Sequence, residues 1–176
     1  MKHLKKFKSF ITENLITEVG DLKGIKTFPY KQVSRDVYRF TSNVGKVSVY
    51  IEELTQEDTG LKVSYKDFDY TKPQVNLGYS IEGVDSQYTK SNPRELFKII
   101  KTVVQITNDY IAKYSPYAVL FFGINKDGTL ADDEQKNALY ITVSSKNLPK
   151  GYRLSKSIIE PPEINKKING HVLFKK

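Results

Sequence analysis

The segment from Asn92 to Tyr114 constrains the fold more than any other part of this chain of 176 residues. Asn92 is a good helix cap, Pro93 suits a first helical position, and Glu95 occupies the position of a capping-box carboxylate. Apolar side chains follow at helical spacing over a wide surface: Leu96, Phe97, Ile99, Ile100, Val103, Val104, Ile106, Tyr110 and Ile111. A helix this apolar is mostly buried, and we expect it to lie across a sheet.

The sequence before this helix alternates apolar and polar residues, which is the period of half-buried strands. Four runs show the alternation, at residues 37–41, 47–52, 61–66 and 75–82. They follow one another with short connections, and this favours an antiparallel meander with one solvent-exposed face.

Two further elements are predicted after the helix. The unbroken apolar run at residues 118–123 is typical of a central strand. The acids Asp132, Asp133 and Glu134 favour the start of a second, shorter helix, because carboxylates are stabilised at the positive end of a helix. Residues 140–143 are also β-prone, so a strand remains an alternative there.

Residues 2–18 predict an amphipathic helix of a different kind. Its apolar stripe consists of Leu4, Phe7, Phe10, Ile11 and Leu15, and its polar surface carries Lys2, Lys5, Lys6 and Lys8. The stripe is the candidate partner-binding surface of the chain.

The predicted fold class is therefore α+β. An antiparallel meander packs against one long buried helix, with a second shorter helix and the N-terminal amphipathic helix. Three parts are predicted: the N-terminal helix and a linker at 1–35, a core domain at 36–158, and a basic C-terminal tail at 159–176. A single domain fits the chain length.

The positive charge is concentrated near the two ends. Residues 1–28 contribute +3 and residues 149–176 contribute +5, which accounts for the whole net charge of +8. Such ends suit nucleic acid, an acidic protein surface or an anionic membrane, and they also favour solubility. The candidate nucleic-acid contacts are Lys2, Lys5, Lys6, Lys8, Lys166, Lys167, Lys175 and Lys176.

Catalytic chemistry has little support in the residue pattern. The chain has no cysteine, which excludes thiolate nucleophiles and Cys-ligated metals. The histidines, His3 and His171, lie near the two ends, where a rigid scaffold is not expected. The acids near Asp127 fit a turn followed by a helix start better than a calcium loop. We therefore expect no catalytic, cofactor or metal site, no transmembrane segment, and no enzymatic activity.

The tyrosines suggest a different role. Tyr65, Tyr70, Tyr79 and Tyr88 lie on or near predicted strands beside lysines, where aromatic rings can stack on bases. Neighbouring acids offset those lysines, and tyrosine is in any case a good strand former. Both interpretations stay open at this point.

The N-terminus also carries a recognisable arrangement. It begins Met1-Lys2, contains the pair Phe10-Ile11, and has two hydrophobic-x-Glu sites ending at Glu13 and Glu18. This arrangement resembles the capsid-targeting leaders of internal head proteins in T-even-type tailed bacteriophages. The resemblance implies cleavage after Glu13 or Glu18 by a prohead protease, although Asn14 and Val19 replace the small residue that usually follows.

The remainder is similar to small uncharacterised tailed-phage proteins, which combine a strand meander, a long apolar helix, a short strand and a helix containing Leu-Tyr. The matching pieces are residues 92–114, residues 119–122 and Leu139-Tyr140.

What these resemblances imply is a non-enzymatic virion protein, packaged in the head or associated with the capsid, and located in the virion or the host cytoplasm. Capsid or scaffold proteins are the implied partners of the apolar stripe, and packaged DNA is the implied partner of the basic ends. The alternatives are a host-directed binding or inhibitor module and a nucleic-acid-binding protein acting inside the infected cell. An enzyme would need a polar pocket that the sequence hides.

Overall fold

The structure is a computed structural model that describes residues 24–54, 60–82, 93–121, 141, 143–160 and 168–176. The predicted N-terminal helix lies outside these ranges, together with its apolar stripe, its lysines and the two cleavage sites. Lys166, Lys167 and Tyr88 also lie outside them. The structural statements that follow concern the described residues.

Eight strands and a long helix make up the described fold. The strands are β1 (Tyr30–Ser34), β2 (Val37–Ser42), β3 (Gly45–Leu54), β4 (Lys62–Val63), β5 (Gln74–Ile81), β6 (Ala118–Phe121), β7 (Tyr152–Ile159) and β8 (Ile168–Lys175). The long helix is α1 (Pro93–Tyr114), and residues 143–146 form a short second helix, α2. The strands form one sheet in the order β1-β2-β3-β5-β6-β8-β7-β4.

The α+β class and the long helix are confirmed. Strands β1, β2, β3 and β5 pair antiparallel with one another in this order, as a meander requires. Strands β5 and β6 pair parallel, so the chain must cross between them, and α1 lies in that crossover. The helix covers one face of the sheet, which we call the helix face.

Helix α1 is apolar on nearly all sides because it packs in two directions. Ile99, Val103 and Ile106 are fully buried against the helix face of the sheet. On its other side, Phe97, Ile100 and Val104 pack against Val143 of α2 and against Ile25. The predicted second helix is thus present, and its role is to cover the outer surface of α1.

The run at residues 61–66 was predicted to continue the meander, and this is wrong. Only Lys62–Val63 forms a strand there, and it pairs with Ile158 and Ser157 of β7 at the far edge of the sheet. The following residues place Phe68 on the face opposite α1, in a cluster with Leu120, Val172 and Phe174. Alternation predicts a strand but does not specify its partner.

The predicted basic tail at 159–176 is also wrong for its second half. Residues 168–175 form β8, which lies inside the sheet between β6 and β7. Val172, Leu173 and Phe174 are buried, because β8 contributes side chains to the clusters on both faces of the sheet. The sequence did not indicate this strand, because lysines flank its short apolar run.

The predicted start of the core at residue 36 is too late. Strand β1 begins at Tyr30, and the buried Phe28 stacks on Phe40 of β2 with ring centroids 5.6 Å apart. The segment predicted as a linker therefore contributes an edge strand and a core aromatic side chain.

Candidate anion-binding cleft

A cleft of about 530 Å³ opens where α1 ends. Its position follows from the way that helix terminates. Ser115 adopts a φ of 50°, and its backbone N–H donates to the Ile111 carbonyl at 2.9 Å, while Pro116 cannot extend the helix. The turn from Tyr114 to Tyr117 then leads directly into β6, so two tyrosines lie at the cleft wall.

Arg35 enters the cleft from the turn between β1 and β2. Its guanidinium carbon lies 5.4 Å from the ring centroid of Tyr114, within the range of a cation–π contact. Nη2 donates to Glu53 Oε1 at 3.4 Å, and Nε lies 3.8 Å from Asp36 Oδ1. Arg35 is therefore held in place, with part of its charge offset by two acids.

Lys72 makes the corresponding contact on Tyr117. Its Nζ lies 5.0 Å from that ring centroid and 3.5 Å from Asp69 Oδ2. The Tyr117 hydroxyl accepts a hydrogen bond from the Asp69 backbone N–H at 2.8 Å, which fixes the ring. Two cations thus lie against two tyrosine rings in one cleft.

Strand β8 supplies two more cations. The backbone N–H of Lys175 donates to the Tyr117 carbonyl at 2.9 Å, and its Nζ donates to the Ser115 carbonyl at 2.8 Å. Lys176 follows, with its backbone N–H donating to the Gly151 carbonyl at 2.9 Å. Because both residues belong to or adjoin the sheet, their charges are held at the cleft by rigid backbone.

The cleft is electropositive. Among the described residues, Arg35, Lys72, Lys175 and Lys176 line it, with Glu53 as the one acid. Lys113 lies beside it, with Nζ 5.2 Å from the Tyr114 ring centroid and 2.9 Å from Gln32 Oε1. Within the described residues, no acid forms an ion pair with Lys113, Lys175 or Lys176, so their charge can act on an anion.

The tyrosines of the cleft differ in electrostatic character. Hydrogen bonds from Gln32 and then Lys113 hold the pKa of Tyr114 below its ordinary value. Burial, reinforced by the charge of Asp36, raises the pKa of Tyr110, whose ring lies 4.6 Å from that of Tyr114. Tyr114 presents a partly exposed ring in cationic surroundings, and Tyr110 forms the buried floor beneath it.

The cations and tyrosine rings of the cleft are suited to bind an anion that carries an aromatic ring. Lysine and arginine donate to phosphate oxygens, and tyrosine rings stack on bases. The volume is in the range of small-ligand sites and is sufficient for a nucleotide unit.

Of the candidate nucleic-acid contacts, the structure describes only Lys175 and Lys176, and both line the cleft. Arg35, Lys72 and Lys113 were missed because they are far apart in the sequence. The Tyr-Ser-Pro-Tyr turn at residues 114–117 was the one local signal, since it ends a helix between two aromatic residues.

The remaining predicted features lie elsewhere in the fold. Tyr65 and Tyr70 are half-buried beside the cluster opposite α1, and Tyr79 packs against the helix-side core. His171 lies in β8, contrary to the expectation of a position without a scaffold, and burial lowers its pKa. The described residues contain no group of three His, Cys, Asp or Glu that could bind a metal, and no helix among them could span a membrane.

No protein-family model, curated protein or solved structure matches the chain. The geometry of the cleft is therefore the basis on which a function is proposed.

Proposed function

We propose that this chain is a non-enzymatic nucleic-acid-binding protein, and that the cleft holds the phosphates and a base of a bound strand. The observation that carries the proposal is the pairing of Arg35 with Tyr114 and of Lys72 with Tyr117 in one cleft. Each pair places a phosphate donor next to an aromatic ring. A site for a simple inorganic anion would not need the two rings.

The charge of the chain supports the same proposal. The net charge of +8 would attract a polyanion from a distance, and part of the C-terminal share reaches the cleft through Lys175 and Lys176. Ion pairs of Arg35 with Glu53 and Asp36, and of Lys72 with Asp69, offset part of this charge. The net charge of the cleft remains positive.

The setting we propose is a tailed-phage particle, with the protein packaged in the head or associated with the capsid. The support is the resemblance of residues 1–18 to capsid-targeting leaders, together with a cleft suited to packaged DNA. The apolar stripe from Leu4 to Leu15 would bind capsid or scaffold proteins. A host-directed inhibitor would instead form a stable complex with a host protein.

The cleft is tested by DNA binding at several salt concentrations. We expect the full chain to bind labelled DNA with an affinity that falls steeply with salt, because binding releases counterions. Arg35→Gln and Lys72→Gln should each weaken binding to a single strand and lower the salt slope by about 0.7 for each phosphate that the variant no longer neutralises. Both variants should keep the circular dichroism spectrum of the parent.

Lys26→Gln is the matched control. Lys26 is exposed and adjoins Ile25, which packs on the N-terminal half of α1, away from the cleft. The substitution removes the same charge as Lys72→Gln does, but away from the cleft. We therefore expect it to leave the salt slope unchanged. Equal losses of affinity in Lys26→Gln and Lys72→Gln would contradict a localised site, and a full chain that binds no DNA would overturn the proposal.

The setting is tested separately by mass spectrometry of purified particles. We expect the protein in the particles, with an N-terminus that reveals cleavage after Glu13 or Glu18 where it occurs. Deletion of residues 1–18 should abolish incorporation and leave the core folded. Particles that still carry the truncated protein would contradict targeting by the leader.

A further inference from the structure

The face of the sheet opposite α1 differs between its two halves. Over β6, β8 and β7 it is covered by the aromatic cluster around Phe68. Over β1, β2, β3 and β5 its side chains are exposed or half-exposed, apart from the buried Gln74 at the start of β5, and most are polar. We call the second half the open face.

Tyr50 is the large aromatic side chain of the open face, and it is 39% exposed. Its partner across the strand is Gly78 of β5, which has no side chain to pack against it. Among the described residues, a Cβ built at Gly78 would meet no atom within 4 Å, so the position opposite Tyr50 is open. Cross-strand packing normally stabilises an aromatic residue in a sheet, and Tyr50 lacks it on this side.

Small hydroxyl residues and cations lie on one side of Tyr50. Ser80 Oγ lies 3.4 Å from the Tyr50 hydroxyl, and Ser48 lies between Ser80 and Arg39 in the strand register. Arg39 is in turn the register partner of Lys31 of β1. A row of two cations and two serines thus runs across four strands beside the exposed ring.

The open face also carries two acids. Glu52 is two residues beyond Tyr50 on β3, on the side of the ring opposite the row, and the Glu82 carboxylate lies 4.0 Å from Lys46 Nζ at the other end of the strand. The centre of the face therefore combines an exposed ring, the open position at Gly78 and a positive row. This chemistry fits a base stacked on the ring and phosphates bound along the row.

We infer that the open face binds single-stranded nucleic acid, with one base stacked on Tyr50 over the open position at Gly78 and the backbone held by Arg39 and Lys31. The inference rests on the proposed function and extends it by a second base contact, on the sheet. Both contacts need an unpaired base, which duplex DNA does not offer. The N-terminal segment of this chain is a poor alternative occupant, because its predicted polar surface is rich in lysine and would be repelled by Arg39 and Lys31.

The test compares two labelled oligonucleotides of equal length, one of thymidines and one of abasic sites, on the full chain. Both carry the same phosphates, and only the first offers bases. We expect Tyr50→Ala to weaken binding of the thymidine strand about 5- to 150-fold. Binding of the abasic strand should change less than about twofold, and Tyr50→Phe should bind both strands as the parent does.

Gly78→Val is a second variant that keeps the ring and fills the open position beside it. The open space around this Cβ position allows the substitution without a clash, and valine favours a strand. We expect the same selective loss of affinity for the thymidine strand, with a thermal transition at or above that of the parent, because valine favours a strand more than glycine does.

The outcomes separate this inference from the proposed function. If the parent, Tyr50→Ala and Gly78→Val bind the thymidine strand with equal affinity, the inference about the open face is overturned and the proposal for the cleft is unaffected. The same result would follow if another segment of the chain occupied the face. A parent that binds neither strand would overturn both proposals.

Discussion

The carboxylate of Glu95, in the first turn of α1, accepts two hydrogen bonds from Asn43 in the turn between β2 and β3. Asn43 donates its backbone N–H at 2.7 Å and its Nδ2 at 2.9 Å. Glu95 is only 6% exposed, so these bonds satisfy a carboxylate that would be costly to bury alone. The contact fixes the start of the helix to a turn 52 residues away in the sequence.

We expect Glu95→Ala to lower the free energy of unfolding by about 2–3 kcal/mol, because hydrogen bonds to a charged group are strong and the substitution leaves the Asn43 N–H without its acceptor. Urea unfolding measures the change. Asn43→Ala removes only the side-chain bond and should cost less, about 1–2 kcal/mol. A larger destabilisation by Asn43→Ala than by Glu95→Ala would contradict this account.

Thr102 offers a prediction with a closely matched control. Its Oγ1 accepts from the Phe28 backbone N–H at 3.0 Å and donates to the Lys98 carbonyl at 2.8 Å. Thr102→Val should cost about 1–3 kcal/mol, because the Phe28 N–H is left without a partner near a buried ring. Thr107 is also fully buried, and within the described part of the chain its hydroxyl only donates, to the Val103 carbonyl at 2.8 Å.

Thr107→Val removes the same hydroxyl without leaving a donor unsatisfied. We therefore expect a change smaller than about 1 kcal/mol in the same unfolding measurement. Equal effects of the two substitutions would show that Phe28 is not held through Thr102.

Buried tyrosines predict a decrease in stability at high pH. Burial raises the pKa of Tyr38 and of Tyr152 from 10.0 to about 12. The folded state therefore holds these protons more tightly than the unfolded chain, so their contribution is complete below pH 10 and disappears as the pH rises toward about 12. Urea unfolding midpoints should fall across this interval.

Tyr152→Phe should make that fall shallower, because one of the tyrosine ionisations that oppose folding is removed. The variant should begin from a lower stability, since the Pro116 carbonyl no longer accepts from the Tyr152 hydroxyl. Tyr114→Phe is the control, because the pKa of Tyr114 is lowered and its ionisation does not oppose folding in this way. An unchanged slope in Tyr152→Phe would contradict the assignment.

The place of β8 in the sheet predicts a large effect from a single residue near the end of the sequence. Phe174 is 1% exposed and contacts the rings of Tyr65, Phe68 and Tyr117. Phe174→Ala should cost about 3–5 kcal/mol in thermal or urea unfolding. Lys176→Ala, two residues later and exposed, should be close to neutral, and a similarly small effect at Phe174 would restore the interpretation of a tail.

The elements that the sequence predicted best are those with a strong local period. The β3 and β5 alternation and the apolar surface of α1 reflect burial that each segment carries by itself. Strand partners do not follow from such patterns, and residues 61–66 show why: Val63 pairs with Ser157, which lies in β7. The strand β8 was missed because its buried core of three residues is followed directly by lysines.

The cleft could not be predicted from the sequence, for a related reason. Arg35, Lys72 and Lys175 line the cleft from three separate parts of the chain, and Lys113 lies beside it at the end of α1, so only the complete fold brings these cations together. On the open face, Tyr50 could be assigned to a strand from its neighbours. Its exposure depends on Gly78 being opposite, which is a property of the register between β3 and β5.

The strand order also fixes a sequence of events during synthesis. Strands β1, β2, β3 and β5 can pair as they emerge, since N-terminal parts of a chain fold first. Strands β4 and β7 join the rest of the sheet through β8 alone among the described strands, so they must wait for residues 168–175. A nascent chain stalled before that point would expose one edge of β6 and the ring of Phe68, and it would be a target for chaperones until β8 closes the sheet.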